Sequence, residues 1–173
     1  AGTGPSRRFR LSTNYRSPAE VFDLAAAVVR AAYPEADLPH AVRRTGIDPE
    51  LVELDPAGLL DWLDERIARL AEQVEGTIGV IVAPSRLAEI TTGLTGRPGA
   101  ITAGDRLTVI EPLAAKGLEY DAVVVVSPDR VVAESPGGER VLYVALTRPT
   151  QRLVIADLGT SQWRDGLTLP AGT

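Results

Sequence analysis

Apolar positions in this chain follow two rhythms that take turns along its length. The run Val123 to Val126, preceded by a polar loop and followed by Ser127-Pro128-Asp129, predicts a strand buried on both faces, of the kind found inside a parallel sheet. Thr77 to Ala83 and Leu153 to Ala156 read the same way, and Phe9 to Ser12, Leu51 to Leu54 and Leu107 to Ile110 read as shorter strands. Between these runs the apolar residues recur at helical spacing: Val21, Leu24, Ala25, Val28 and Val29; then Leu59, Leu63, Ile67, Leu70 and Val74; then Leu87, Ile90 and Leu94; and finally Val141, Leu142, Ala145 and Leu146. Ser17, Pro18 and Glu20 have the spacing of a capping box, with serine as cap, proline at the first helical position and glutamate closing the box. That helix stops before Pro34, Gly76 ends the next, Pro84-Ser85 opens a third and Pro149 ends the last. Gly93 to Gly104 and Val131 to Gly138 read as loops, the second a mobile one. Strands that alternate with helices predict an α/β fold, a mostly parallel sheet with helices on both faces. Residues 1–173 are expected to form one domain, with flexible ends at 1–8 and 160–173.

Composition narrows the classes. With 173 residues, 45% of them hydrophobic and 24% charged, the chain is long enough for one sizeable core. It has no cysteine and a single histidine, His40, which argues against disulfides and against thiolate or histidine metal sites. No apolar run approaches the length of a membrane span and no signal peptide is visible, so the cytoplasm is the expected compartment. A formal net charge of −5 disfavours a broad nucleic-acid surface, leaving only local contacts of that kind. The chain lacks methionine and begins Ala-Gly-Thr-Gly, and it is read here as part of a longer protein.

Candidate chemistry gathers at three corners. Tyr15 and Arg16 lie in the turn between the first strand and the first helix, a position where open α/β sheets bind ligands. Lys116, the only lysine in the chain, stands with Gly117 and Glu119 just ahead of the valine strand, and Thr147-Arg148 ends the late helix. Should these corners converge on one sheet edge, the two arginines make a clamp for phosphate oxygens, because the guanidinium fork matches them and stays charged. Tyr15 offers a stacking face for a base, and Glu119 an acceptor for ribose hydroxyls. Each residue also has a plain structural reading: Arg16 as an exposed turn residue, Tyr15 packed on its helix, Lys116 in a surface pair with Glu119 or Asp121, and Arg148 favoured by the helix dipole. No Gly-x-x-x-x-Gly-Lys-Ser/Thr loop occurs, nor an acidic pair placed for magnesium. The chain can therefore touch a nucleotide from one side and lacks the parts that grip it, as in the second half of a two-domain ATPase.

At these residues the sequence resembles the second RecA-like domain of superfamily 1 helicases of the UvrD/Rep/PcrA group. Asn14-Tyr15-Arg16-Ser17 is similar to the family's motif IV, Lys116-Gly117-Leu118-Glu119-Tyr120-Asp121 to motif V, and Leu142-Tyr143-Val144-Ala145-Leu146-Thr147-Arg148 to motif VI. The resemblance implies a RecA-like three-layer sandwich that completes an ATP site shared with an N-terminal RecA-like domain. It implies that Tyr15 stacks on adenine, that Arg16 and Arg148 contact the γ-phosphate, and that Glu119, Gly117 and Lys116 lie near the ribose and phosphates. Magnesium would be held by the other domain, and single-stranded or duplex DNA is an expected partner. The family's translocating members carry threonine and histidine where Glu111 and Leu113 stand, alanine where Pro149 follows Arg148, and a longer interval between motifs IV and V. In those respects the chain looks closer to HelD, a helicase-like ATPase that binds bacterial RNA polymerase. Two rival readings remain: a catalytically silent module that docks on RNA polymerase or another protein, and a stand-alone nucleotide-binding protein.

Overall fold

The computed structural model describes residues 17–38 and 43–159; Phe9 to Ser12, Tyr15, Arg16, His40 and both expected flexible ends lie outside them. Five strands form one sheet: β1 (Glu50–Glu53), β2 (Ile78–Ile81), β3 (Leu107–Ile110), β4 (Tyr120–Val126) and β5 (Pro149–Asp157). Their order across the sheet is β1-β5-β4-β2-β3, and every neighbouring pair is parallel. The valine run is the middle strand.

Alternation within these strands explains the layers. In β4 and β5, Val123, Val125, Leu153 and Ile155 face one core, with α1 (Ala19–Ala32), α5 (Pro128–Glu134) and α6 (Gly138–Leu146) packed over them. Ala122, Val124, Val126, Val154 and Ala156 face the other core, beneath α2 (Leu59–Gln73), α3 (Leu87–Leu94) and α4 (Pro98–Ala103). A strand covered on both sides has no polar face to show, which is why its sequence reads as continuous apolar residues. At Gly79 of β2 the absence of a side chain is needed, because a Cβ there would come within 2.9 Å of the buried Tyr120 ring on β4. No helix among the described residues is long and apolar enough to cross a membrane.

Three local expectations are corrected. The first half of Val131 to Gly138 is not a loop: α5 runs from Pro128 to Glu134, with proline at its start and Val131 buried, and only residues 135–137 form a turn before α6. The two turns of α5 are too short to show a period. Part of the glycine-rich stretch is helical as well, because Asp64 of α2 accepts hydrogen bonds from the Gly99 and Ala100 N–H groups (2.9 Å each) and caps α4 from another element. The capping box at Ser17 does not form either. Pro18 holds the N-cap position with no side-chain cap, and Ser17 and Glu20 both turn to distant partners. Glu20, almost wholly buried, accepts from the Thr45 and Gly46 N–H groups at 3.1 and 2.6 Å.

Candidate functional site

Lys116, Gly117 and Glu119 stand just before β4, and Arg148 stands just before β5, so they gather at the amino-terminal edge of two neighbouring strands. The ladder reaches this corner: the Tyr120 N–H donates to Arg148 O at 3.1 Å, and Tyr120 pairs with Pro149. This is the edge opposite the one expected from the strand-to-helix rule for open sheets. The carboxyl ends of β2 and β4, whose following helices pack on opposite faces, carry a self-contained network instead. There Glu134 accepts from the Ser85 N–H (3.0 Å) and hydroxyl and from Arg130 (3.0 Å), while Arg86 reaches Ser127, whose φ is +51°.

The crossover from β3 to β4 contains no regular helix. Glu111 to Gly117 makes tight turns pinned by the buried Ala115, whose N–H donates to the carbonyls of Glu111 and Pro112 at 3.2 and 3.1 Å. Gly117 then reverses the chain with φ +83°, a conformation that glycine adopts without the penalty a side chain would bring. Nothing crowds its Cα, so the backbone angle, not the space, requires glycine here. The reversal brings Leu118 O to the Arg148 guanidinium and leaves Lys116, Gly117 and Glu119 exposed. Lys116 forms no ion pair among the described residues, and Asp121, an expected partner for it, instead accepts from the Gly76 N–H at 2.8 Å.

Arg148 is held firmly. Its Nε donates to Val144 O at 2.8 Å, its Nη1 to Leu118 O at 3.1 Å and its Nη2 to Thr147 Oγ1 at 3.1 Å. The structural role foreseen for it is therefore real, since Val144 O is one of the carbonyls left over at the end of α6. A guanidinium carries five N–H groups, so donors remain for the oxygens of an anion. Burial lowers its pKa from the ordinary arginine value, while Glu119 and Tyr143 act in the opposite sense. Tyr143 itself is core, as its position in the helical stripe implied, with its ring edge-on to Phe22 at 6.3 Å. Its hydroxyl is buried and finds no hydrogen-bond partner among the described residues, and burial raises its pKa from the ordinary 10.

Tyr15 and Arg16 lie outside the described residues. Their neighbour Ser17 is fully buried, and its Oγ lies 2.9 Å from Thr147 O and 3.0 Å from Pro149 O, on either side of Arg148. Arg43, which carried no chemical signal in the sequence, also reaches this corner: its Nη2 donates to Thr150 O at 2.6 Å, and its own carbonyl accepts from the Ala19 N–H at the start of α1. A lone Arg-Arg doublet in a loop resembles any solvated charge pair, so only the contact distinguishes it. No group of three or more acidic or histidine residues is placed to hold a metal ion among the described residues.

The geometry thus defines an α/β domain with an exposed, arginine-bearing corner at the amino-terminal edge of its central strands. The segment that builds this corner is where the likeness to known proteins concentrates. A family model described as the UvrD-like helicase C-terminal domain matches residues 109–156, from β3 into the end of β5. Among solved structures, the C-terminal domain of a possible DNA helicase from Lactobacillus plantarum WCFS1 is similar to this chain with a TM-score of 0.65 and 18% identity, covering 90% of this chain and 95% of that one. At that identity the likeness speaks for the fold alone, a RecA-like α/β fold with an all-parallel sheet. No curated protein matches the chain.

Proposed function

We propose that this chain is the second RecA-like motor domain of a superfamily 1 helicase-like ATPase, and that its α6–β5 corner presents Arg148 to a nucleoside triphosphate gripped mainly by an N-terminal RecA-like domain. The observation that carries this reading is the state of Arg148: a half-buried cation, fixed through every nitrogen, with donors to spare, inside the segment that matches the family model. A cation fixed in advance at a partly desolvated edge stabilises charge on a transferring phosphoryl group without having to reorganise first. In this reading Arg16 joins Arg148 on the γ-phosphate, Tyr15 stacks on the base, and Glu119 accepts from ribose hydroxyls. Gly117 offers its N–H and Lys116 its charge to the phosphates, and magnesium is bound by the other domain.

The finer assignment is to the HelD type, with RNA polymerase as the partner. Supporting it, Glu111 and Leu113 occupy places where DNA-translocating relatives carry threonine and histidine, and Leu113 is 55% exposed. The net charge of −5 also favours a protein partner over a long nucleic-acid track. In the full-length protein, Arg148→Ala is expected to lower ATP hydrolysis by about 10³-fold or more, the scale of a lost arginine finger, while the circular dichroism spectrum stays unchanged. Wild-type turnover in that variant would overturn the role given to Arg148. Capture of RNA polymerase by a full-length protein that hydrolyses no ATP, equally with and without nucleotide, would favour the docking module instead.

A further inference from the structure

The first residues of β5 are held in an unusual way. Its ladder with β1 begins only at Val154, so the stretch Thr147 to Arg152 that bears Arg148 lies outside that ladder. On the other side the register with β4 is broken, Tyr120 pairing with Pro149 but Ala122 with Arg152. Between these pairs one residue of β4, Asp121, faces two of β5, Thr150 and Gln151, the count of a β-bulge, which frees backbone groups from the ladder. A buried carbonyl with no donor is destabilising, so something else must satisfy these groups. Two side chains do. The Ser17 hydroxyl shares its proton between Thr147 O and Pro149 O, bracketing Arg148, and the Arg43 guanidinium takes Thr150 O. Both donors belong to one block, because Arg43 O accepts from the Ala19 N–H, two residues beyond Ser17.

We propose that Ser17 is a positioning residue for Arg148: with Arg43 it holds the backbone at the start of β5, and it fixes the angle at which the α6–β5 corner presents the guanidinium. Ser17 is fully buried and touches no ligand itself; it acts through the two peptide groups that flank Arg148. The inference rests on the proposed role of Arg148 only for its catalytic consequence, and its structural half is tested separately.

The Arg148 Nε–H, bonded to Val144 O, is the reporter. In Ser17→Ala, nuclear magnetic resonance of this chain is expected to show its hydrogen exchange accelerated about tenfold or more, while the amides of Val123 to Val125 keep their protection. In the full-length protein the same variant is expected to lose about 10-fold to 100-fold in kcat, the cost of misplacing a reacting group, with the KM for ATP little changed. Unaltered Nε–H exchange in Ser17→Ala would overturn the inference. Accelerated exchange with wild-type hydrolysis would leave the positioning role standing and sink the catalytic role of Arg148. If Ser17→Ala loosens the central strand as well, Arg43→Ala decides: faster exchange at Arg148 with a protected strand supports the inference, and unchanged exchange overturns it.

Discussion

Tyr143 shows how much depends on the partner a side chain does or does not find. It lies in the apolar stripe of α6, and its ring belongs to the core, yet its hydroxyl, buried beside the cationic corner, finds no partner among the described residues. Removing an unsatisfied buried hydroxyl, with the ring kept, relieves a desolvation cost. Tyr143→Phe is therefore expected to stabilise the domain by about 1 kcal/mol, read as a melting temperature raised by roughly 2–4 °C for a chain of this size. A lower melting temperature would mean that the hydroxyl has a partner after all. Arg148 shows the converse. Its place at a helix end was legible in the sequence, but that each of its nitrogens has its own acceptor was not, because Leu118 O arrives from a different crossover.

At the scale of elements, burial on both faces leaves little slack. Gly79→Ala would drive a methyl group into the buried Tyr120 ring that spans β2 and β4. The expected cost is about 1–3 kcal/mol, the range for overpacking a core, measured as a lower urea midpoint; an unchanged midpoint would show that the ring can step aside. Acid reaches a different set of contacts. Burial alone would raise the Glu20 carboxyl, but hydrogen bonds from its own backbone, Thr45 and Gly46, together with the Arg44 charge, outweigh burial and hold it below its ordinary 4.5. Glu134 is lowered too, first by the Ser85 hydroxyl and then, against the effect of burial, by the Ser85 N–H and Arg130. Both carboxyls are stronger acids folded than unfolded, so the unfolded chain takes up protons first as pH falls. Their contribution is complete above about pH 4.5–5 and is lost below it. Denaturation midpoints followed from pH 7 to about 3 should fall through that window, and Glu20→Gln should flatten the fall while lowering stability at pH 7. An equal slope in variant and parent would remove Glu20 from the account. Contacts of this kind explain why Ser17 and Glu20 misled as a capping box: the spacing was right, but each found a partner far along the chain, 130 and 25 residues away.

The whole molecule divides the credit along physical lines. The sequence determined the alternation of strands and helices, the central place of β4 and the residues of its two cores, because an element buried on one stripe or on two faces must write that burial into its own apolar period. It also determined that Lys116 to Glu119 stand ahead of a strand and Arg148 at a helix end, since the valine run and Pro149 mark those boundaries in the letters themselves; that β5 begins as early as Pro149 was not legible. Short helices such as α4 and α5 escaped, one capped from afar by Asp64 and the other too brief to repeat. Only the tertiary structure decided which edge of the sheet those residues share, that Ser17 and Arg43 hold the turn around Arg148, and that the opposite edge is closed by Ser85, Arg130 and Glu134. Those facts depend on strand order and on contacts between residues far apart in the chain, and no local period encodes either.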